Sequence, residues 1–483
     1  MNLAVVLRIL GLMLMMFSLS MLPPIGVAIG YQDGHAHVFA MSFVVVATIG
    51  VMLWLPVRHV IRDLRLRDGF LVVAMFWLFL ALAGAIPLLI TDVPDLSFTD
   101  AVFEAVSGFT TTGATVIAGL DALPPSVLYY RQQIQWFGGI GIIVLAVALF
   151  PVLGIGGMSL YKADTPGPFK DQKLTPRITQ TAKALWGIYV TLTAACALAY
   201  WLAGMTPFDA IGHAYATVST AGFSTHDASL AYFDSATIDA IACVFMFLGG
   251  TSFVLHFTVA RGGDPRLYWR DTEFHAYFWI VAVMVGFATL YLWLAGEFDT
   301  LATSLRHAAL QVISVQTSTG FLTTGFADWP GPVPTFMMLM TVICACAGST
   351  SGGMKVIRWL IVFRQGVAEL KRLVHPSAEI PVKLAGRPVP ERVIMGVAGF
   401  FAMYFIVFAF LMFLMMLFGL DQVSAWAAVA ATLNNVGPGL GEVAWTFKDV
   451  PDSAKWVATI AMLVGRVEIF ALVLLLTPAF WER

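Results

Sequence analysis

Long apolar stretches dominate this sequence, and short polar connections separate them. An α-helix needs about 20 consecutive apolar residues to cross a bilayer, whereas runs of roughly 10–14 residues more often mark re-entrant segments. The stretches long enough to span lie at 4–30, 37–57, 70–91, 132–153, 184–203, 236–260, 276–295, 333–363, 393–420 and 454–481. The pattern therefore predicts an all-α polytopic membrane protein with ten transmembrane helices.

Basic residues fall in alternate connections and thereby indicate an orientation. Lys and Arg follow the second, fourth, sixth and eighth predicted spans, at Arg58, Arg62, Arg65, Arg67, Lys162, Lys170, Lys173, Arg177, Lys183, Arg261, Arg266, Arg270, Lys371, Arg372, Lys383, Arg387 and Arg392. Asp and Glu predominate in the other connections. Because positively charged connections remain in the cytoplasm, both termini are predicted to be cytoplasmic. An acidic outer face also raises the local concentration of cations.

The composition excludes a water-soluble protein. Only 12% of the 483 residues are charged and 59% are hydrophobic, whereas about a quarter of the residues in soluble domains are charged. A soluble enzyme, a nucleic-acid-binding protein and a disordered scaffold are therefore excluded. The cysteines (Cys196, Cys243, Cys344 and Cys346) all lie in apolar stretches without disulfide or zinc-ligand spacing, so we interpret them as small buried side chains.

A short polar element that ends in glycine recurs in the outer connections from the third span onward. The copies lie about 100 residues apart, which matches one unit of span, short helix, turn and span. In chain order they read Thr110-Thr111-Thr112-Gly113, Ser219-Thr220-Ala221-Gly222, Thr317-Ser318-Thr319-Gly320 and Asn434-Asn435-Val436-Gly437. The sequence therefore predicts a fourfold internal repeat.

The residue types in these elements suit a site for a desolvated cation. Small polar residues allow four backbones to approach one axis, and a glycine with positive φ lets successive carbonyls point the same way. Non-helical backbone at membrane depth is tolerated where it lines a water-filled path. A ring of carbonyls replaces the hydration shell of potassium in channel filters. One such element could simply end a short helix, but four in register favour a potassium selectivity filter.

These elements resemble the four filter loops of the Trk/Ktr/HKT superfamily of potassium transporters. The strings Gln135-Trp136-Phe137-Gly138-Gly139-Ile140-Gly141 and Gly465-Arg466-Val467-Glu468 are also similar to that family, and two extra N-terminal spans resemble its bacterial TrkH branch. The resemblance implies four membrane–pore–membrane repeats around a pseudo-fourfold pore, usually in a homodimer. A glycine at every filter position is typical of potassium-selective members. The fourth loop departs from the Ser-Thr-Gly-Phe pattern of the family.

The repeat spacing and the resemblance together divide the chain. We predict an N-terminal two-helix extension at 1–67, followed by four pore repeats at 68–178, 179–269, 270–386 and 387–483. The doublets Gly138-Gly139 and Gly249-Gly250 are interpreted as close-packing sites of the inner helices. We interpret His213, Arg306 and His307 as anchors of the short pore helices.

The eighth predicted span is interrupted by flexible and polar residues. These are Gly348, Ser349, Thr350, Ser351, Gly352 and Gly353. Such a segment does not propagate a helix at low cost. A packing kink would account for it, but the resemblance favours a gate loop beneath the filter. Arg466 lies midway along the tenth span, where an arginine costs roughly 2.5–3.5 kcal/mol, so it should face the interior. We predict that it holds the loop closed, a purely structural buried pair being the alternative.

The sequence thus predicts potassium uptake through a gated pore, and not an enzyme, because no Walker A, His-Glu-x-x-His or dinucleotide fingerprint occurs. An ion-coupled symporter is the alternative. It would place charged ligands in discontinuous helices, and only Arg466 and Glu468 lie deep in the predicted spans. We expect no cofactor in this chain, only potassium ions in the pore. The resemblance implies a bacterial inner-membrane location and a cytosolic nucleotide-binding, TrkA-like regulatory subunit; membrane lipid is a further expected partner, and nucleic acid is not.

Overall fold

The computed structural model describes residues 3–60, 66–148, 175–467, 469, 472, 475 and 477–481. Within these ranges the chain is predominantly helical. The α-helices, labelled α1 to α19 in chain order, are Leu3–Ser18, Leu22–Tyr31, Ala36–Trp54, Leu66–Ile90, Phe98–Phe109, Pro125–Ala148, Thr175–Leu202, Pro207–Ser219, Ala236–Gly249, Phe253–Gly262, Arg266–Arg270, Thr272–Leu294, Leu301–Gln316, Val333–Met340, Val356–Val374, Glu391–Leu417, Gln422–Leu433, Asp452–Val467 and Pro478–Trp481. Strand β1 (Lys383–Leu384) pairs antiparallel with β2 (Arg387–Pro388). Of the residues used above, Arg62, Arg65, Lys162, Lys170, Lys173 and Glu468 lie outside the described ranges.

Among the described residues, six apolar helices are long enough to cross a bilayer without a sharp bend. They are Leu3–Tyr31, Ala36–Val57, Asp68–Ile90, Ala182–Leu202, Thr272–Leu294 and Glu391–Leu417. They coincide with predicted spans one, two, three, five, seven and nine. Large apolar side chains such as Leu294 and Phe413 remain exposed on these helices. Such surfaces are stable against lipid hydrocarbon, so the protein is a multi-pass membrane protein.

Two predicted spans are broken. The sixth, 236–260, was expected to be continuous, but α9 and α10 meet at 92°. The break frees carbonyls of α9, and the Gly250 carbonyl accepts a hydrogen bond of 3.0 Å from the Cys346 N–H. The eighth was expected to be interrupted, and the non-helical stretch between α14 and α15 is longer than the glycine-rich segment alone. Each break supplies backbone groups to the other, which explains why both persist.

Four short pore helices (α5, α8, α13 and α17) begin with the same device. A side-chain oxygen at the N-cap accepts a hydrogen bond from the backbone N–H three residues later, which satisfies one of the free donors at a helix start. The caps are Ser97, Thr206, Thr300 and Asp421. Helical segments precede and follow each pore helix, and the resulting membrane–pore–membrane repeats surround a pseudo-fourfold axis.

The N-terminal helices α1 and α3 cross through two glycines. A Cβ built on Gly11 would lie 2.7 Å from the Gly50 carbonyl oxygen, and one on Gly50 would lie 2.9 Å from the Gly11 oxygen. Small residues at a crossing let membrane helices approach closely. The Gln133 side chain of α6 donates to the Ser20 carbonyl over 2.9 Å, which attaches this pair to the first repeat.

We expect Gly50→Leu to lower the thermal unfolding temperature of the detergent-purified protein by several degrees. Forcing a side chain into a packed crossing typically costs about 1–3 kcal/mol. Gly26→Leu is the matched control, because no atom of the described residues lies within 4 Å of a Cβ at Gly26. Equal melting temperatures for the two variants, measured by size-exclusion chromatography after heating, would show that the crossing is not tight.

Candidate pore and gate

Each pore helix ends in the same uncommon turn. The residue two positions before each candidate filter glycine has left-handed backbone, with φ of 52° at Thr111, 52° at Thr220, 56° at Ser318 and 55° at Asn435. The following N–H donates to the carbonyl five residues earlier in all four loops, over 2.7–2.9 Å. This is a Schellman closure of a helix. Left-handed backbone at a non-glycine residue costs roughly 1–3 kcal/mol, so the surroundings must enforce it.

The four candidate filter glycines place each loop against the next one. Their φ angles run from 79° to 95°. A Cβ added to any of them would overlap or crowd the carbonyl oxygen of the residue before the next loop's glycine. The pairs are Gly113 with Ala221, Gly222 with Thr319, Gly320 with Val436 and Gly437 with Thr112. The contacts run from loop one through loop four and back to loop one, so the loops close into a ring around one axis.

Loops one and three brace their backbones with threonine hydroxyls. Thr110 Oγ1 donates to the Val106 carbonyl over 2.7 Å and lies 2.7 Å from the Thr112 hydroxyl. Thr317 and Thr319 repeat the hydroxyl contact at 2.7 Å. These hydroxyls therefore have hydrogen-bond partners within the loops. The oxygens that all four loops have in common are the backbone carbonyls, which differ only in their position around the axis.

Loop four has amides at two positions where the other loops have hydroxyls. Asn434 Nδ2 donates to the Ala430 carbonyl over 2.9 Å, and Tyr404 donates to Asn434 Oδ1 over 2.9 Å. Asn435 Nδ2 reaches loop one and donates to the Thr112 hydroxyl over 2.9 Å. The departure seen in the sequence is thus confined to side chains, since loop four shares the backbone turn and the ring contact.

In the first, second and fourth repeats, the helix that follows the pore helix contacts the filter loop of the same repeat through a glycine. These helices are α6, α9 and α18. A Cβ on Gly138 would overlap the carbonyl oxygen four residues before the filter glycine, and one on Gly465 would do the same in the fourth repeat. At Gly249 the corresponding distance, to the Val218 oxygen, is 3.0 Å. The prediction that the glycine doublets are close-packing sites is confirmed.

The next position along these helices faces the following loop. A Cβ on Gly139 would lie 2.8 Å from the Ser219 Cβ, and one on Gly250 would lie 3.1 Å from the Thr317 side chain. In the fourth repeat this position is occupied by Arg466. The arginine therefore stands where the first and second repeats need a glycine, beside the loops.

Arg466 is buried, with 2% of its surface exposed. Its Nη1 donates to the Thr350 carbonyl over 2.8 Å and its Nη2 to the Gly138 carbonyl over 3.4 Å. The guanidinium also lies 5.7 Å from the centre of the Trp77 ring. No ion pair to Arg466 occurs within the part of the chain that the structure describes. Its charge therefore faces carbonyl oxygens of the third and first repeats.

The segment Gly348–Gly353 lies directly against the candidate filter loops. The Thr350 hydroxyl is 3.1 Å from the carbonyl oxygens of both Val218 and Gly249. The Gly352 N–H donates to the Ser318 hydroxyl over 2.7 Å. The structure therefore brings the predicted gate residues together with loops two and three and with Arg466.

Two charged side chains fix the ends of this segment, and the sequence pattern did not predict the contact of either one with the loop. Glu273 Oε1 accepts hydrogen bonds from the Ala347 N–H over 2.8 Å and from the Ile357 N–H over 3.1 Å. Lys355 Nζ donates to the Gly352 carbonyl over 3.1 Å. A carboxylate that accepts from both flanks ties the two ends of the loop to the start of α12.

Other charged side chains besides Arg466 are also enclosed by the protein. Glu104 and Arg131 are fully buried and Glu273 is 5% exposed. Helices α6 and α12 begin several residues before the apolar runs, so two of these charges fell just outside the predicted spans. A proline pair and an aspartate cap mark those helix starts in the sequence and could have extended the spans.

The three polar residues predicted to anchor the pore helices form hydrogen bonds or ion pairs beside them. His213 Nε2 lies 2.9 Å from the Ser224 hydroxyl behind loop two. Arg306 pairs with Asp239 at 2.6 Å, and His307 hydrogen-bonds a threonine behind loop three. Among the described residues, no group of three or more His, Cys, Asp or Glu is placed to hold a metal ion.

The connections predicted to face outward carry acidic groups near the loops. A hydrogen bond from His226 lowers the pKa of Asp121, and hydrogen bonding from Ser424 lowers the pKa of Asp421 at the start of α17. The Gly119 N–H donates to Asp227 over 2.9 Å. The lowered pKa values keep Asp121 and Asp421 ionised at neutral pH, so these two carboxylates attract cations to this face.

The fold and the ring of loops define a multi-pass membrane protein of the pore-loop class. The chain matches the TrkH family model, described as "Cation transport protein", over residues 35–483. The protein therefore belongs to the TrkH family of cation transport proteins, as the resemblance of its loops indicated.

Relatives of known name cover the whole chain. A "Trk system potassium uptake protein TrkH" of Vibrio parahaemolyticus is 53% identical over 99% of both chains, and one of Halomonas elongata is 50% identical over 100% of both. TrkG of Escherichia coli is 40% identical over 99% of this chain and 98% of its own. The crystal structure of the potassium transporter TrkH from Vibrio parahaemolyticus superposes with a TM-score of 0.93, at 50% identity and full coverage of both chains. The relatives are named as uptake proteins and not as enzymes.

We expect Gly113→Ser and Gly222→Ser each to reduce discrimination between potassium and sodium by about tenfold, or about 1.4 kcal/mol. A serine at either position has left-handed backbone and would overlap a carbonyl of the next loop, so the ring must open. The permeability ratio is measured from competitive ion flux into liposomes.

Gly119→Ser separates ring contact from backbone strain. Gly119 has φ of 80°, close to that of Gly113, but within the described ranges no atom lies within 4 Å of a Cβ there. This control should keep the wild-type permeability ratio. Unchanged ratios in both ring variants would contradict the ring as the site of ion discrimination.

Proposed function

We propose that this protein takes up potassium through the ring of its four loops. The observation that carries the proposal is that four loops share one backbone conformation and meet in a closed ring. Carbonyl oxygens so arranged replace the hydration shell of potassium. The printed names of the relatives, potassium uptake proteins at 40–53% identity, support the same cargo. The proposed potassium-binding residues are the four elements that end in Gly113, Gly222, Gly320 and Gly437, with no cofactor required.

The pore helices supply further stabilisation for a cation. Helices α5, α8, α13 and α17 each end immediately before a loop of the ring. The C-terminus of a helix carries a partial negative charge of about half an electron, which favours a cation within the last turn. Four such ends around one axis offset part of the cost of removing water from the ion.

Passage through the ring is controlled by Arg466 and the Gly348–Gly353 segment. Their contact at Thr350 supports a closed state in which the loop stays beneath the filter and a positive charge repels the passing cation. Opening requires the hydrogen bond between Arg466 and the Thr350 carbonyl to break. The selectivity of the ring is independent of this step, because loop and arginine act on passage and leave the four glycines in contact.

A cytosolic, nucleotide-binding partner of the TrkA type controls this gate by moving α15. Helix α15 starts one residue after Lys355 and carries Lys371 and Arg372 in its last turn. Displacing it pulls on both Lys355 and Ile357, which are bonded to the loop and to Glu273. The protein is further proposed to be a homodimer of the bacterial inner membrane, with both termini in the cytoplasm and with the chain divided at residues 67, 178, 269 and 386.

Ion-coupled symport is the second candidate, and one observation favours it. Glu273 is a buried carboxylate at the gate loop, and protonation would weaken the two hydrogen bonds that it accepts. Coupling of transport to a proton gradient would then act through the gate.

Flux into liposomes that contain the purified protein tests the proposal. Rubidium uptake should follow the potassium gradient and an imposed voltage without a proton gradient, and excess potassium should compete more strongly than sodium. Uptake that requires an inward proton or sodium gradient would favour symport. Absence of flux under every gradient, with folded protein, would refute both functions.

We expect Arg466→Ala to raise basal flux several-fold, because the loop loses its charged hydrogen-bond donor and the pore its positive charge. Thr350→Val should act in the same direction, since it removes the hydroxyl that lies between Val218 and Gly249. Both variants should keep the potassium-to-sodium ratio, measured by competitive rubidium flux.

Ser351→Ala is the matched control in the same loop. The Ser351 hydroxyl has no hydrogen-bond partner among the described residues, so its removal should leave basal flux unchanged. If Arg466→Ala and Thr350→Val fold normally and conduct like the wild type, this gate is wrong and Arg466 is structural.

A further inference from the structure

A polar residue recurs at one position of the pore helices. Nine residues before the filter glycine stand Glu104, His213, Gln311 and Ala428. All four are fully buried. A shared position in equivalent helices faces an equivalent neighbour, so three repeats bury a polar group where the fourth has a methyl group.

Each of the three polar side chains forms a hydrogen bond with the segment that follows the filter glycine of its own loop. Glu104 accepts from the Thr115 hydroxyl over 2.9 Å and from the Val116 N–H over 3.0 Å. His213 hydrogen-bonds Ser224, and Gln311 Nε2 donates over 2.6 Å to a carbonyl of the segment beyond Gly320. We call these three side chains the filter braces.

The brace of loop one differs from the others because it is an ion pair. Arg131 of α6 donates to Glu104 Oε1 through Nε at 2.9 Å and through Nη2 at 2.6 Å. Both side chains are almost completely enclosed, with 1% and 0% of their surfaces exposed. A second hydrogen bond, of 3.1 Å, runs from Arg131 Nη2 to the Thr115 hydroxyl. Charge-assisted bonds in such a dry site are stronger and shorter than neutral ones.

Arg131 also contacts loop two. Its guanidinium lies 4.3 Å from the centre of the Phe223 ring, and Phe223 directly follows Gly222. Its Nη1 is 3.4 Å from the Ser224 carbonyl. The pair thus spans the outer side of the joint where Gly113 meets loop two, and it limits how far these two loops can separate.

We infer that Glu104 and Arg131 are positioning residues for cation selectivity: they fix the spacing of loops one and two, and with it the discrimination between potassium and sodium. This role rests on the proposed function of the ring as a filter. Filters distinguish the two ions by the number, field and spacing of their oxygens. The two neutral braces act in the same way with fewer bonds, and loop four lacks this brace.

Glu104→Gln tests the inference with almost no change in side-chain volume. The N–H groups of the new amide would face the N–H groups of Arg131, and both are hydrogen-bond donors. The positive charge of Arg131 would also lose the carboxylate that it pairs with. We expect the potassium-to-sodium permeability ratio to fall about tenfold in competitive rubidium flux into liposomes.

A buried charge without a partner can prevent folding, so two further variants test the inference independently. Glu104→Gln with Arg131→Met removes both charges, which is often tolerated in buried pairs; it should fold but keep a reduced ratio. Gln311→Leu removes a neutral brace and leaves no buried charge without a partner. It should lower the ratio about threefold, less than the loss of the ion pair.

The control is the other ion pair of the same pore helix. Asp100 lies 2.7 Å from Lys455, and its carboxylate hydrogen bonds among the described residues go to Ser97 and Lys455. Asp100→Asn should therefore leave the permeability ratio unchanged even if it lowers the melting temperature. Wild-type ratios in the folded double variant and in Gln311→Leu would overturn the inference. A wild-type protein without any preference for potassium would instead overturn the filter itself.

Discussion

Four strands of backbone must meet around one axis without a side chain between them, and most of the local structure serves this constraint. The ring glycines provide the contact, and the left-handed residues before them turn each chain into it. Glycines on the second helices then let neighbouring segments approach from behind. Strained backbone at membrane depth persists only where packing and hydrogen bonds over-determine it, which is what the caps, hydroxyls and amides around the loops do.

Around this shared backbone the repeats have different side chains and different tasks. The third repeat interrupts its second helix and supplies the loop under the ring, while the second repeat breaks its helix to offer carbonyls to that loop. The fourth contributes Arg466, and the first contributes the Gly138 carbonyl that faces it. The backbone is close to fourfold, but the chemistry beneath it is not symmetric at all.

The sequence was sufficient for the elements that repeat. Period, span length and glycine spacing predicted the helices, the loops and the interruption of the eighth span, because each leaves a local pattern. The bend after Gly249 was missed, since its cause is a hydrogen bond to a distant segment at Cys346. Arg131 and Glu273 were missed because apolar averaging places helix starts too late. The residues that bind potassium and the repeat boundaries remain predictions.

The position shared by Gly139, Gly250 and Arg466 has an evolutionary consequence. In a pore made from four identical subunits, a substitution to arginine would appear at every corner and place four positive charges around the ion path. Joining the repeats in one polypeptide lets the fourth repeat carry an arginine while the first and second keep their glycine. A single arginine beside the ring is thus possible in a fused chain and impossible in a homotetramer, so fusion of the repeats must precede an arginine that occupies one corner alone.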